Sequence, residues 1–418
     1  MSGDQDPGQR RTAIGMATIL FLVTLAAYIA RVNLSVALPF IGEAYGWNAE
    51  QLGLYGGILL GIFLVGYGFS NVFVSPLVDY FGPRKSMMVA VAVFSLLTFL
   101  TGVIGMVFVL LISARLLLGL SQGIVYPSAS KVTQAWFAPG DRSKINSLHL
   151  SSSFVSNLLV PLFLIPLILL TDWRFAFFAV AVVSVLTLIP LWLYLRDCPG
   201  PAPCTVRMSL RDVVSKARSD MRSALKVKGL LRLSAGYAAG DLVFWGLSLW
   251  LPTYLVVAKG FQTDELALAA SLPYIGGLVG LYIGSVLSDR TGKRVLITTS
   301  FLVACAASLV LLIGAQDQAL VIIVLGAVFF FVGILPPNAF TLLQGVCPAE
   351  RIGSATGIMN GIAVGIGVFG PLILGMAVAS TGSYDSGLLL LAAMAILSAI
   401  ILWPFRRQES RPRPPEQA

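Results

Sequence analysis

The chain has 418 residues, of which 57% are hydrophobic and 11% charged; its mean hydropathy is +0.87. A soluble protein of this length needs far more polar surface, so the composition excludes one and reads as a polytopic membrane protein. The net charge of +9 does not point to nucleic acid, because the basic residues lie in loops beside apolar runs, where they set topology.

The polar segment 1–13 leads into an apolar run without a small-residue cleavage site, and so reads as an N-terminal tail rather than a signal peptide. Twelve apolar spans follow, near 14–40, 52–77, 86–105, 107–127, 146–169, 174–195, 231–256, 266–287, 295–314, 318–342, 354–378 and 386–405. With the N-terminus inside, the outer loops hold only Arg174 and Lys259, and Arg31 and Arg115 lie within spans. The other 24 of the 28 lysines and arginines fall on the inner side, a strong positive-inside asymmetry that places both termini in the cytoplasm. Four cysteines show no ligand spacing and the chain has one histidine, His149, so neither a metal nor a cofactor is expected.

The chain repeats itself. "DYFGPRK" (79–85) follows the second span and "DRTGKR" (289–294) the eighth, and Asp79, Gly82 and Arg84 match Asp289, Gly292 and Arg294 at an offset of 210 residues. The same offset relates Gly123 to Gly333, Pro127 to Pro337 and Pro161 to Pro371. One offset near half the chain length predicts two pseudo-symmetric six-helix bundles, 14–196 and 230–405. A basic linker, 197–229, joins them, and a tail, 406–418, closes the chain. The linker opens with "DCPGPAPC" and continues as a basic, partly helical segment that either is solvated or lies on anionic headgroups.

Two six-helix halves with paired D-x-x-G-[x]-R/K loops resemble the major facilitator superfamily. Within it, "YIARVNLSVALP" in span 1, "GLSQGIVYPSASKVTQAWF" in span 4, "WLPTYLV" in span 7 and "GIMNGIAVGIGVFGPLILG" in span 11 are similar to the anion:cation symporter family, whose members carry sugar acids and other organic anions. The organophosphate:phosphate antiporters share the Arg-x-Asn of span 1 and a glutamine near Gln122. The resemblance implies an all-α, twelve-helix membrane protein, a transporter and not an enzyme, working by alternating access in the cell membrane. Lipid surrounds it, and it is expected as a monomer that takes no nucleic acid.

Three charges lie near mid-bilayer: Arg31, Arg115 and Asp241. Each is costly if it faces lipid, by at least ~2.5 kcal/mol, and is therefore a functional candidate. Arg31 and Asp241 are themselves 210 residues apart and so occupy equivalent places in spans 1 and 7, which both line the central cavity in this superfamily. Two arginines and one aspartate leave an excess of +1, favouring an anion, and arginine presents a fork that meets a carboxylate with two parallel hydrogen bonds. Arg31 is thus the candidate anion ligand, which is also the role the resemblance assigns to it.

Helical spacing places further polar residues on shared faces. Tyr28 and Ser35 lie with Arg31; Tyr67 pairs with Asn71, Gln122 with Tyr126, and Ser153 with Asn157; Tyr237, Asp241 and Trp245 form a stack. Asn338 and Gln344 in span 10 and Asn360 in span 11 complete the set. Of these, Tyr28, Tyr67, Gln122, Tyr126, Ser153, Asn157, Trp245, Asn338 and Asn360 are candidate substrate contacts with Arg31. Tyr67 and Gln122 rank first because related transporters place contacts there.

Related symporters pair the arginine matching Arg115 with an acid before the span 1 arginine, and carry a glutamate in span 4. Here those places hold Ala30 and Gln122. The family's proton-binding acids are absent, which leaves Asp241 as the candidate coupling acid, together with Arg115. Gly119 and Gly123 follow Arg115 at four-residue steps and predict close helix approach. In the paired loops, Asp79 and Asp289 are expected to accept from exposed helix N-termini, and Arg84, Arg290 and Arg294 to pair with acids or headgroups, as contacts that break when the halves rock. The expected function is proton-coupled symport of a small carboxylate. An organophosphate:phosphate antiporter or an uncoupled uniporter is the alternative; a multidrug exporter or non-transporting sensor fits less well.

Overall fold

The computed structural model describes residues 7–74, 77–105, 107–137, 139–198, 209–347 and 352–409. Among them there is no strand, and twelve helical stretches are long and apolar enough to cross a bilayer: Thr12–Tyr45, Ala49–Val74, Pro83–Ile104, Phe108–Trp136, Ser151–Leu170, Trp173–Tyr194, Leu230–Val257, Leu266–Ser288, Arg294–Gly314, Gln318–Val346, Ala355–Thr381 and Asp385–Phe405. These are spans 1 to 12. The first, fourth and tenth outrun their expected limits, since a helix does not stop where its apolar stretch ends unless a cap or breaker intervenes. The linker carries the expected helix, Leu210–Leu225.

Five spans are broken, and proline sets where. Proline lacks an N–H for the carbonyl four residues earlier and crowds it. Helices end at Gln122 ahead of Pro127, at Leu186 ahead of Pro190, at Ser271 ahead of Pro273, at Gly333 ahead of Pro336 and Pro337, and at Gly367 ahead of Pro371. The breaks in spans 4 and 10 fall one repeat interval apart. The match of Pro161 to Pro371 is not symmetric in effect: Pro161 lies inside the unbroken helix Pro139–Leu170.

The chain divides into two compact units. The first holds Met1–Asn48, Ile58–Ser219 and Gln262–Ser271; the second holds Ala49–Gly57, Asp220–Phe261 and Leu272–Ala418. Each expected half therefore lends a short segment to the other unit. For Ala49–Gly57 the reason is glycine: a Cβ on Gly53 would lie 2.6 Å from the Gly375 carbonyl oxygen, and one on Gly57 3.3 Å from that of Pro371.

In the first unit, span 1 packs against spans 5 and 6, and span 3 against spans 4 and 6. His149 is buried beneath Thr133, its Nε2 3.4 Å from the hydroxyl. Burial pushes its pKa down to about 4, so it is neutral near pH 7. In the second unit, span 7 packs against the helices of spans 10, 11 and 12. In the loop after it, Lys259 donates to the carbonyls of Ile313 (3.3 Å) and Ala315 (2.6 Å) at the end of the helix Arg294–Gly314. Burial lowers the Lys259 pKa, with Asp385 acting in the opposite sense.

Spans 2 and 4 touch backbone to backbone through the glycines under Arg115. A Cβ on Gly119 would lie 2.1 Å from the Phe63 carbonyl oxygen and 2.9 Å from the Tyr67 nitrogen; one on Gly66 would lie 2.3 Å from the Leu116 carbonyl oxygen. Gly119→Ala should therefore lower the melting temperature of the purified protein, since overpacking costs about 1–3 kcal/mol. At Gly326 a Cβ meets nothing within 4 Å, so Gly326→Ala should leave it level or raise it; equal melting of the two variants would refute the close-approach reading.

Candidate functional site

The first unit builds a site around Arg31. This side chain is 3% exposed, in the second half of the helix Pro7–Tyr45. Its guanidinium carbon lies 4.5 Å from the centre of the Tyr28 ring, 4.4 Å from Tyr67 and 4.9 Å from Phe63. Phe63 and Tyr67 are one turn apart on span 2 and stack at 6.0 Å. Arg31 Nη2 donates to the amide oxygen of Gln122 at 3.5 Å, and Gln122 Nε2 donates to the Ala27 carbonyl at 2.9 Å. The amide is thereby oriented: its donor end is tied to span 1 and its acceptor end meets the arginine. Ring faces and an amide oxygen are neutral, so these contacts lower the cost of burying the charge without cancelling it.

Arg115, 1% exposed, takes a different place. Its guanidinium donates to the carbonyls of Ala30 (3.5 Å) and of Arg31 itself (3.2 Å), and lies 5.2 Å from the Phe63 ring. Those helical carbonyls use their second lone pairs. With alanine at position 30, the guanidinium turns to main-chain oxygens, and span 4 is tied to span 1 at the turn that carries Arg31. Phe63, which touches both arginines, escaped the sequence reasoning; its position one turn before Tyr67 was the available signal.

The remaining candidates of this unit lie nearby. Tyr126 is within electrostatic reach of Tyr28 and Tyr67. Asn157 is buried on span 5 and donates to the Ser153 carbonyl at 2.8 Å. Asn71 donates to the Tyr67 carbonyl at 3.3 Å.

In the second unit the predicted stack on span 7 is joined by a hydrogen bond: Trp245 Nε1 donates to Asp241 Oδ2 at 2.9 Å. Tyr237, one turn below, packs on Phe340 at 5.8 Å. Asn338 is brought elsewhere. Buried, it donates to Ser288 Oγ (2.8 Å) and Thr298 Oγ1 (2.7 Å), tying spans 8, 9 and 10 together. Asn360 is half-buried on the helix Ile352–Gly367, and Gln344 is exposed.

The Asp79 and Asp289 side chains lie outside the described residues. Among the described residues, Asp197, absent from the expected set, meets a helix N-terminus: its Oδ1 accepts from the Arg84 N–H at 2.7 Å, at the second residue of the helix Pro83–Ile104. Gly82 makes room, with φ +85° and a would-be Cβ 3.1 Å from Asp197 Oδ2. Arg84 also donates through Nη2 to the Trp192 carbonyl. Arg290 is exposed and Arg294 half-buried.

Twelve apolar spans enclosing the buried Arg31 and Arg115 define a multi-span membrane protein. The chain belongs to the Major Facilitator Superfamily, whose model matches residues 20–371. It is 28% identical over 410 residues to the probable sulfoacetate transporter SauU of Cupriavidus necator, covering 94% of this chain and 92% of that protein. It is 24% identical to the hexuronate transporter of Bacillus subtilis, covering 93% of each. It is 25% identical to the probable galactarate/D-glucarate transporter GarP of Escherichia coli, covering 91% of this chain and 92% of that one. In fold it is similar to the D-xylose-proton symporter, with a TM-score of 0.77 at 14% identity over 94% of this chain and 97% of that one. It is accordingly a multi-pass cell-membrane protein.

The Gln122 geometry makes a direct prediction. Gln122→Glu puts a carboxylate where a neutral oxygen now meets Arg31, and so fills the site with an internal anion. Thermal stabilisation by added organic anions should then need about tenfold more ligand or worse. Gln122→Leu removes the same bond without adding charge and should lose less; a smaller loss in Gln122→Glu would contradict an anion site at Arg31.

Proposed function

We propose that the protein is a secondary active transporter of a small organic anion, working by alternating access and coupled to protons. The observation that carries the anion reading is the Arg31 guanidinium, buried and framed by Tyr28, Phe63, Tyr67 and Gln122. A buried guanidinium brings a positive charge and a planar fork, and both suit a ligand that carries a carboxylate or similar anion. Sulfoacetate, hexuronate, galactarate and D-glucarate, the compounds in the relatives' names, are all small organic anions, which supports a carboxylate or a similar acid as substrate. Tyr28, Tyr67, Gln122 and Tyr126 would complete the first unit's contacts, with Ser153 and Asn157 on span 5. Trp245 and Asn360 are the candidates from the second unit. Asn338 is the weaker one there, since its amide donates to two hydroxyls.

An organophosphate:phosphate antiporter is less well supported. A doubly charged phosphoester calls for a second cavity arginine, and span 7 carries Phe244 and Trp245 after Asp241. Arg84, Arg290 and Arg294, with Asp79 and Asp289, remain the proposed contacts that break and form as the halves alternate.

For coupling, a carrier that moves an anion together with a proton needs a titratable group within the membrane. Asp241 is the acid nearest mid-bilayer in the sequence, and the Trp245 indole N–H donates to its Oδ2. Arg115 would act on coupling indirectly, by holding the turn that bears Arg31.

Uptake into proteoliposomes from a panel of monocarboxylates, dicarboxylates, sugar acids, sulfonates and organophosphates, with and without a pH gradient, tests the proposal. Arg31→Lys keeps the charge and loses the fork, so uptake should fall at least about tenfold in well-folded protein; near-normal uptake would rule out a bidentate anion contact. Asp241→Asn mimics the protonated acid. It should keep substrate exchange and lose accumulation driven by an imposed proton gradient. If wild type ignores the gradient, or Asp241→Asn responds as wild type does, the carrier is a uniporter, an exchanger or coupled to another ion.

A further inference from the structure

A groove of about 510 Å³ runs between spans 3 and 6, lined by Met88, Ala92, Leu188, Ile189, Trp192 and Leu193. Every lining residue is apolar, so the groove offers nothing to a polar metabolite. Its flank is bilayer-facing, with Val89 and Leu96 exposed on span 3. Arg84, Met88 and Ala92 follow one another at four-residue steps, so the arginine heads the stripe that forms one wall. From Arg84 to Ala92 the helix rises ~12 Å, close to the ~15 Å hydrocarbon depth of one leaflet.

The mouth is basic and partly committed. Arg84 donates through Nη2 to Trp192 and through its main-chain N–H to Asp197, while its Nε is buried with no acceptor among the described residues. Lys85 and Arg196 are exposed beside it. Among the described residues Asp197 is the acid at this mouth, and it is already engaged by the helix N-terminus. Trp192, 60% exposed, stands at the rim, where an amphipathic ring suits the headgroup boundary.

We propose that this groove binds one anionic phospholipid from the leaflet on the linker side. An acyl chain lies along the apolar wall, and the headgroup phosphate sits on Arg84, Lys85 and Arg196. The charge balance selects the lipid. Among the described residues, three cations stand against Asp197, a balance that attracts a phosphate whose headgroup adds no positive charge and repels the ammonium of a zwitterionic lipid.

The test uses the full chain, delipidated in neutral detergent and titrated with phosphatidylglycerol or phosphatidylcholine of the same acyl chains. Bound lipid is counted by native mass spectrometry. Wild type should retain one phosphatidylglycerol about tenfold more tightly than phosphatidylcholine. Lys85→Gln, at an exposed position, should reduce that preference about fivefold. Ala92→Trp fills the groove and should abolish retention with the charges intact. Equal retention of both lipids by wild type, or undiminished phosphatidylglycerol in folded Ala92→Trp, would overturn the proposal. If Ala92→Trp does not fold, the paired Lys85→Gln and Arg196→Gln exchange decides: an unchanged lipid preference refutes the site, and its loss supports it.

Discussion

The first unit is arranged around one constraint, the positive charge of Arg31 held inside a membrane span beside Tyr28, Phe63, Tyr67 and Gln122. Burying a guanidinium this far from water is tolerable only if ring faces and oriented dipoles replace part of its hydration. Those groups come from spans 1, 2 and 4, so the three helices must approach closely at one level. Gly66, Gly119 and Gly123 allow that approach. Without side chains at the contact, the backbone of span 2 lies against that of span 4, and Phe63 and Tyr67 are carried onto Arg31. Packing and binding chemistry are therefore not separable here: the glycine that removes a Cβ also sets the ring that faces the charge.

Arg115 and Arg31 are like charges in different settings. With alanine at position 30, the Arg115 guanidinium donates to main-chain oxygens of span 1. One arginine then braces the helix while the other is framed by aromatic rings and an amide. Gln122 belongs to the same logic. An amide fixed at both ends supplies an acceptor without supplying a negative charge, and so leaves the electrostatic attraction of Arg31 for an anion in place.

The second unit handles polarity differently. Asp241 is held by an indole on its own helix, one turn away, whereas Asn338 is consumed by hydroxyls on two neighbouring helices. The repeat is therefore one of backbone punctuation more than of chemistry. Spans 4 and 10 break at equivalent residues because proline removes the same donor in both. The side chains at the equivalent points, Arg31 and Asp241, are opposite in sign.

The sequence by itself determined the class, the twelve spans, the repeat interval and the buried charges. Each of these follows from composition, periodicity or a cost that any membrane imposes. The face-sharing of Tyr28 with Arg31 and of Asp241 with Trp245 was legible too, because helical spacing within one span needs no tertiary information. Contacts between helices were not. That Phe63 lies under both arginines, that Gln122 ties to Ala27, that Asp197 meets the start of span 3, and that Asn338 is spent on Ser288 and Thr298 all depend on which faces of separate helices meet. That choice is made by close-packing at glycines and by breaks at prolines, and a one-residue rotation of any helix, about 100°, would change every partner.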